Sequence, residues 1–124
     1  MTNGALGKVY QDGEVIICEG EEGHCMYVIQ EGEVEVLIAG EEDKEIRLGV
    51  RGEGEFFGEM AIFDRDVRSA TVRAKGEARV LTVDKKNFMR RVHEDPSLAF
   101  RLVETMSRRI RELGEEVARL QNHG

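Results

Sequence analysis

Phe56-Phe57-Gly58-Glu59-Met60-Ala61-Ile62-Phe63, followed after a polar turn by Arg68-Ser69-Ala70-Thr71-Val72, is the one stretch that interrupts an otherwise regular strand pattern. It predicts a short helical turn held between two strands. On either side, from Lys8 to about Val83, apolar residues alternate with polar ones, the period-2 signal of strands with one buried face. The clearest runs are Val15/Ile17, Tyr27/Ile29, Val34/Val36/Ile38, Ile46/Leu48/Val50, Ala70/Val72/Ala74 and Val80 with Leu81 and Val83. Between them lie Asp12-Gly13, Glu19-Gly20, Glu31-Gly32, Ala39-Gly40, Arg51-Gly52 and Lys75-Gly76, all read as turns. Turns at this spacing argue for an antiparallel barrel or sandwich rather than a βαβ fold.

After Val83 the period changes. Asp84 is placed to cap a helix through Phe88 and Val92, and Asp95-Pro96 restarts the chain with an N-cap followed by proline at the first helical position. A long helix is predicted from there to about Gln121. Its apolar residues Ala99, Val103, Met106, Ile110, Leu113, Val117 and Leu120 alternate four-residue and three-residue steps, the heptad seam of a two-stranded coiled coil. A homodimer through this helix is the favoured reading; packing of the stripe on the protein's own barrel is the alternative. Gly114 sits inside the helix, where a kink, a hinge or a close backbone approach is expected.

With 124 residues the chain is expected to form one domain over 1–124, a roll over about 8–83 and helices over about 84–121. At 40% hydrophobic and 35% charged residues the composition is that of a folded chain rather than a disordered one. No apolar run is long enough to span a membrane, and Met1–Tyr10 has neither the basic nor the apolar stretch of a signal peptide, so the expected location is cytoplasmic. The net charge of −7 opposes binding to nucleic acid or an anionic membrane. That charge is segregated: residues 1–64 carry 4 basic and 16 acidic side chains, residues 65–124 carry 14 and 9, so an anion is expected to prefer the second part. Cys18 and Cys25 lack metal-site spacing; free thiols are favoured over a hairpin disulfide. His24, His93 and His123 form no ligand pattern and are read as solvated, so neither metal nor other cofactor is expected.

The chemistry concentrates in the quoted stretch. Amide hydrogens at the first turn of a helix point outward with partial positive charge, so Gly58 to Ala61 are candidates to receive an anion, Gly58 allowing close approach. Arg68 supplies a planar fork suited to a phosphate. Glu59 would repel a bare phosphate but would accept from a hydroxyl, and a nucleotide offers both groups. Phe56, Phe57 and Phe63 are read as core or pocket-wall residues. The spacing of Gly52, Gly54 and Gly58 is not a dinucleotide fingerprint.

Phe57-Gly58-Glu59-Met60-Ala61 with Arg68-Ser69-Ala70-Thr71 resembles the phosphate-binding cassette of cyclic nucleotide-binding domains. Gly13-Glu14-Val15-Ile16 through Glu19-Gly20, Met26-Tyr27-Val28-Ile29 and Gly32-Glu33-Val34-Glu35-Val36 are similar to that family's first strands. The likeness covers about residues 8–121, and from Arg68 to Lys75 and through Asp84-Lys85-Lys86-Asn87-Phe88 it is nearest the catabolite-activator subgroup. The resemblance implies a mainly β fold with helices, a double-stranded β-helix or jelly roll closed by C-terminal helices. It implies a non-enzymatic cyclic nucleotide sensor that signals through movement of its C-terminal helix; the alternative is a ligand-independent dimerisation domain. It gives Glu59 the ribose 2′-hydroxyl, Arg68 the cyclic phosphate, and Gly58, Met60, Ala61, Ser69, Ala70 and Thr71 supporting places in the cassette. Leu113 would cover the purine. The subgroup likeness points to cAMP; because the subgroup reads adenine with a Thr-Ser pair where this chain has Leu113 and Gly114, cGMP stays open.

Overall fold

A computed structural model describes residues 7–63 and 67–122, with the side chains of Met60, Phe63 and Asn122 left out. The expectations for Met1–Leu6, the Met60 and Phe63 side chains, the polar turn at 64–66 and His123 therefore lie outside the described residues. The chain divides into two compact units, Met1–Lys85 and Lys86–Gly124.

The first unit holds β1 (Lys8–Tyr10), β2 (Val15–Ile17), β3 (Cys25–Ala39), β4 (Glu45–Arg51), β5 (Phe56–Phe57), the single turn α1 (Met60–Phe63) and β6 (Thr71–Asp84). The sheet runs β1-β6-β3-β4, with β2 added to β6 and β5 to β3. Every pairing is antiparallel. Alternate residues along β3 and β6 turn inward and meet β1, β2 and β5 in a core of Tyr10, Ile17, Ile29, Val34, Phe57, Val72, Ala74, Ala78 and Val80. Ile29, Val34 and Val80 are fully buried at its centre.

Two of the predicted turns are not turns. Glu31-Gly32 lies inside β3 and Lys75-Gly76 inside β6, so four expected strands become two long ones. The ladder slips here instead: Glu31 pairs with Arg79 and Glu33 with Lys75, leaving extra residues of β6 bulged between them. Such a bulge bends a strand without ending it. Gly32 permits the bend because its φ is +83°, and a Cβ there would strike the Glu77 carbonyl and the Ala78 backbone. The freed part of β6 is reused, since Ala78 and Arg79 also pair with Tyr10 and Val9 of β1.

The same register pairs part of the segregated charge. Glu31, Glu33 and Glu35 of β3 stand opposite Arg79, Lys75 and Arg73 of β6. Arg73 Nε donates to Glu35 at 2.8 Å and Lys75 Nζ meets Glu33 at 3.4 Å. Arg73 also reaches Glu45 of β4 at 3.1 Å. Acid in the first part of the chain and base in the second thus meet as cross-strand pairs that favour one register, which engages Arg73, Lys75 and Arg79 of the second part's basic residues. At the sheet's end, Ile46 and Leu48 of β4 are 48% and 59% exposed, so the alternation there does not bury its apolar face.

The second unit holds α3 (Ser97–Asn122) and all but the first residue of α2 (Lys85–Glu94). Helix α2 starts directly after Asp84, the expected cap. Asp95 Oδ1 accepts the Ser97 amide at 3.2 Å, so Asp95 caps the start of α3, with Pro96 directly before the helix's first residue. Hydrogen bonding to Ser97, helped by Arg101, holds the Asp95 carboxyl below its ordinary value. Phe88 and Leu102 are buried. Helix α3 runs unbroken past Gly114, where nothing lies within 4 Å of a built Cβ, so the close approach expected there is not seen. Val103, Ile110, Leu113, Val117 and Leu120 are each more than half exposed, leaving most of the heptad seam uncovered. Among the described residues no helix is long and apolar enough to cross a membrane.

Candidate ligand-binding site

Three segments distant in sequence converge beside the core: the connection from β2 to β3, the β5–α1 turn, and residues 67–70 leading into β6. Main-chain bonds tie the first to the third. The Arg68 amide donates to the Glu21 carbonyl at 2.7 Å, the Gly20 amide donates to the Arg68 carbonyl at 2.9 Å, and Glu22 forms a bridge with Val67. The Arg68 side chain then ties in the other segments. Its Nη1 donates to the Gly58 carbonyl at 3.0 Å and its Nη2 to the Cys25 carbonyl at 2.7 Å.

Gly58 belongs in this arrangement for two reasons. Its φ of +74° is a left-handed conformation that other residues adopt at a cost. A Cβ there would also sit 2.8 Å from Arg68 Nη1 and 3.0 Å from Ile17 Cδ1. Gly23 is required by close approach alone, because a Cβ on it would occupy the place of the Arg68 guanidinium. Beneath the guanidinium the Tyr27 ring lies 5.9 Å from Arg68 Cζ and stacks on Phe57 at 5.1 Å. Burial, then the hydrogen bond and charge of the Cys25 thiol, push the Tyr27 hydroxyl up to about 12 against an opposing pull from Arg68.

Arg68 lines a cavity of about 250 Å³ together with Ile17, Cys18, Glu21, Glu22, Gly23, His24, Cys25 and Tyr27. A cation fixed by two carbonyls, with N–H groups left over, can hold a small anion in a defined orientation. Glu21 and Glu22 line the same cavity and oppose an anion there.

The expected site residues fall into groups. Gly58 and Arg68 are brought into contact, with Glu59 half-buried next to Gly58. Ala61 is buried, and its amide donates to the Gly58 carbonyl at 3.3 Å, so that amide is turned into its own loop and not outward as expected. Of Met60 only the backbone, in α1, is described. Ser69 is exposed and Ala70 half-buried; neither they nor Glu59 line the cavity. Thr71 is engaged structurally, its Oγ1 accepting the Glu19 amide at 3.0 Å. Leu113 belongs to the second unit and is 66% exposed. Gly23, the Cys25 carbonyl and Tyr27 were not foreseen. Their link to Arg68 spans more than forty residues (|i−j| of 43 for Cys25), which no local motif encodes. Both cysteines are free, as favoured from their spacing. Among the described residues no cluster of metal-ligating side chains is found.

Comparison with known proteins places this geometry. The chain is 36% identical over 112 residues to the cAMP-activated global transcriptional regulator CRP of Salmonella typhimurium, matching 90% of this chain and 53% of that protein. The crystal structure of Thermus thermophilus catabolite activator protein superposes with a TM-score of 0.81 at 27% identity, over 95% of this chain and 56% of that one. The regulatory domain of Toxoplasma gondii PKA, crystallised with cAMP, matches 79% of this chain and 38% of that one with a TM-score of 0.63 at 26% identity. The chain spans about half the length of the curated CRP relatives it matches. Six antiparallel strands followed by C-terminal helices are thus the jelly roll expected from the resemblance. Residues 7–95, which include the whole strand system and the Gly58–Arg68 contact, match the model of the cyclic nucleotide-binding domain, and the chain belongs to that family.

Proposed function

We propose that this chain is a cyclic nucleotide-binding regulatory module of the cytoplasm, without catalysis of its own, with cAMP the preferred ligand and cGMP the alternative. The carrying observation is Arg68, anchored on the carbonyls of Gly58 and Cys25 and facing a cavity in a member of this family. Its remaining N–H groups would take the cyclic phosphate, and Glu59, beside Gly58, would accept from the ribose 2′-hydroxyl. The relatives support the ligand class: one is named as cAMP-activated and another was crystallised with cAMP.

Signalling would run through α3. Its uncovered heptad seam supports a homodimer, and a ligand that binds two α3 arrangements unequally would shift the balance between them. Titration calorimetry of the chain with cAMP and with cGMP tests the reading. Saturable one-to-one binding of cAMP is expected, weakened at least tenfold in Glu59→Gln, which keeps the shape and removes the charge. An absence of binding to either nucleotide overturns it. A stable dimer indifferent to both would instead favour a ligand-independent dimerisation domain, which the same exposed seam supports.

A further inference from the structure

Arg51 ends β4 and is half-buried. It stands opposite Val34 of β3, and antiparallel partners project to the same face of a sheet. Val34 is fully buried in the core, so Arg51 projects from the inner face of the roll. A Cβ on Gly49 would lie 3.2 Å from Arg51 Nη1, which puts the guanidinium over Gly49, two residues back on that face. A charged group so placed calls for an acceptor. Arg47, Arg73, Lys75 and Arg79 of the same sheet each meet a carboxylate. The acids near Arg51 serve other groups: Glu35 takes Arg73 and Arg47, and Glu55 takes the Gly52 amide. Among the described residues Arg51 makes no ion pair, and its Nη1 reaches the Val50 carbonyl at a long 3.4 Å. The N–H groups of Nε and Nη2, which point the same way along one edge of the guanidinium, are left as a matched pair of donors.

We propose that Arg51 reads the base of the bound cyclic nucleotide and favours a 6-oxopurine, its Nε–Nη2 edge donating to O6 and N7 of the ring. The proposal rests on the cyclic nucleotide reading and deepens it. Guanine presents O6 and N7 as adjacent acceptors, to which arginine donates two parallel bonds; adenine puts the N6 donor in place of the first, which opposes a guanidinium. The position suits the role. Arg51 is not among the residues lining the Arg68 cavity, as befits a group that addresses the other end of the ligand from the phosphate. Its partner Val34 nevertheless packs in one core cluster with Ile17, which does line that cavity. Where the subgroup carries its adenine-reading pair, this chain has Leu113 and Gly114, neither of which has a side-chain hydrogen-bonding group. Arg51 thus supplies a base contact from the sheet, and it pulls against the cAMP preference that the subgroup likeness suggests.

The test is titration calorimetry of the full chain with cAMP, cGMP, cIMP and 7-deaza-cGMP. The inosine nucleotide keeps O6 and N7 without guanine's 2-amino group, and the deaza analogue replaces N7 by C–H. In the unmutated protein 7-deaza-cGMP is expected to bind at least about fivefold more weakly than cGMP. Arg51→Leu should move the ratio of cGMP to cAMP affinity at least about fivefold toward cAMP, with cIMP following cGMP, and should erase the penalty for losing N7. Arg51→Lys keeps the charge without the fork and should recover only part of the shift. A merely structural role would change all four affinities alike. An unchanged ratio in Arg51→Leu, equal binding of cGMP and 7-deaza-cGMP to the parent, or binding of cAMP alone overturns the proposal while the nucleotide reading stands. The analogue comparison uses the unmutated protein, so it does not depend on a variant's folding. Failure of the parent to bind any of the four overturns both readings.

Discussion

Replacing Arg68 tests whether this side chain is a structural strut as well as a hydrogen-bond donor to an anion. Its two guanidinium bonds, 3.0 Å to the Gly58 carbonyl and 2.7 Å to the Cys25 carbonyl, join the β5–α1 turn to the start of β3. A hydrogen bond from a charged donor contributes about 1.5–3 kcal/mol. Because Arg68 is half-buried, the lower end applies, and Arg68→Ala should cost about 2–4 kcal/mol of folding stability. Arg68→Lys keeps the charge but presents a single point donor that cannot hold two carbonyls in one plane, so it should recover about half of the loss. Urea unfolding followed by circular dichroism, with the slope of the transition checked for constancy, measures both. A ligand-free Arg68→Ala protein within about 0.5 kcal/mol of the parent would refute the strut, and with it the claim that the guanidinium is pre-oriented before any anion arrives.

Four further outcomes are expected. Gly58→Ala should destabilise the chain by about 1–3 kcal/mol in the same assay, from the left-handed backbone and from the displacement of Arg68, and should weaken cAMP binding in parallel. Gly114→Ala should do the opposite, adding up to about 1 kcal/mol and raising helicity, because nothing stands near its Cβ. Ile110→Asp, on the exposed seam of α3, should convert a dimer to a monomer in sedimentation velocity; a monomeric parent would end the coiled-coil reading. The Glu35 carboxyl is held below its ordinary value by its hydrogen bond to Arg73. Its contribution is therefore complete above the ordinary carboxylate value and is lost as pH falls through the lowered one, so Glu35→Gln should be less stable at neutral pH and lose less on acidification. Equal acid sensitivity of parent and variant in a thermal melt series would contradict this.

What could be read from the chain alone was whatever depends on neighbours. Period-2 alternation marked the strand-forming part between Lys8 and Asp84, and Asp95-Pro96 marked the start of α3, because strand faces and caps are set within a few residues. Gly58 and Arg68 were both read as candidates for one anion site, but the contact between them, ten residues apart in sequence, follows from no local rule. Tertiary structure decided the rest. Gly32 and Gly76 have the composition of turns, yet the long β3–β6 ladder outweighs their local preference and turns them into bends. Ile46 and Leu48 alternate like core residues but lie on a strand that, among the described residues, pairs only with β3, so their faces stay open. The partners of Arg68 in the β2–β3 connection, Gly23 and the Cys25 carbonyl, become neighbours only when the roll closes. Local sequence encodes the backbone's preferences residue by residue, whereas a site assembled from three distant segments exists only once long-range hydrogen bonding has set where those segments meet.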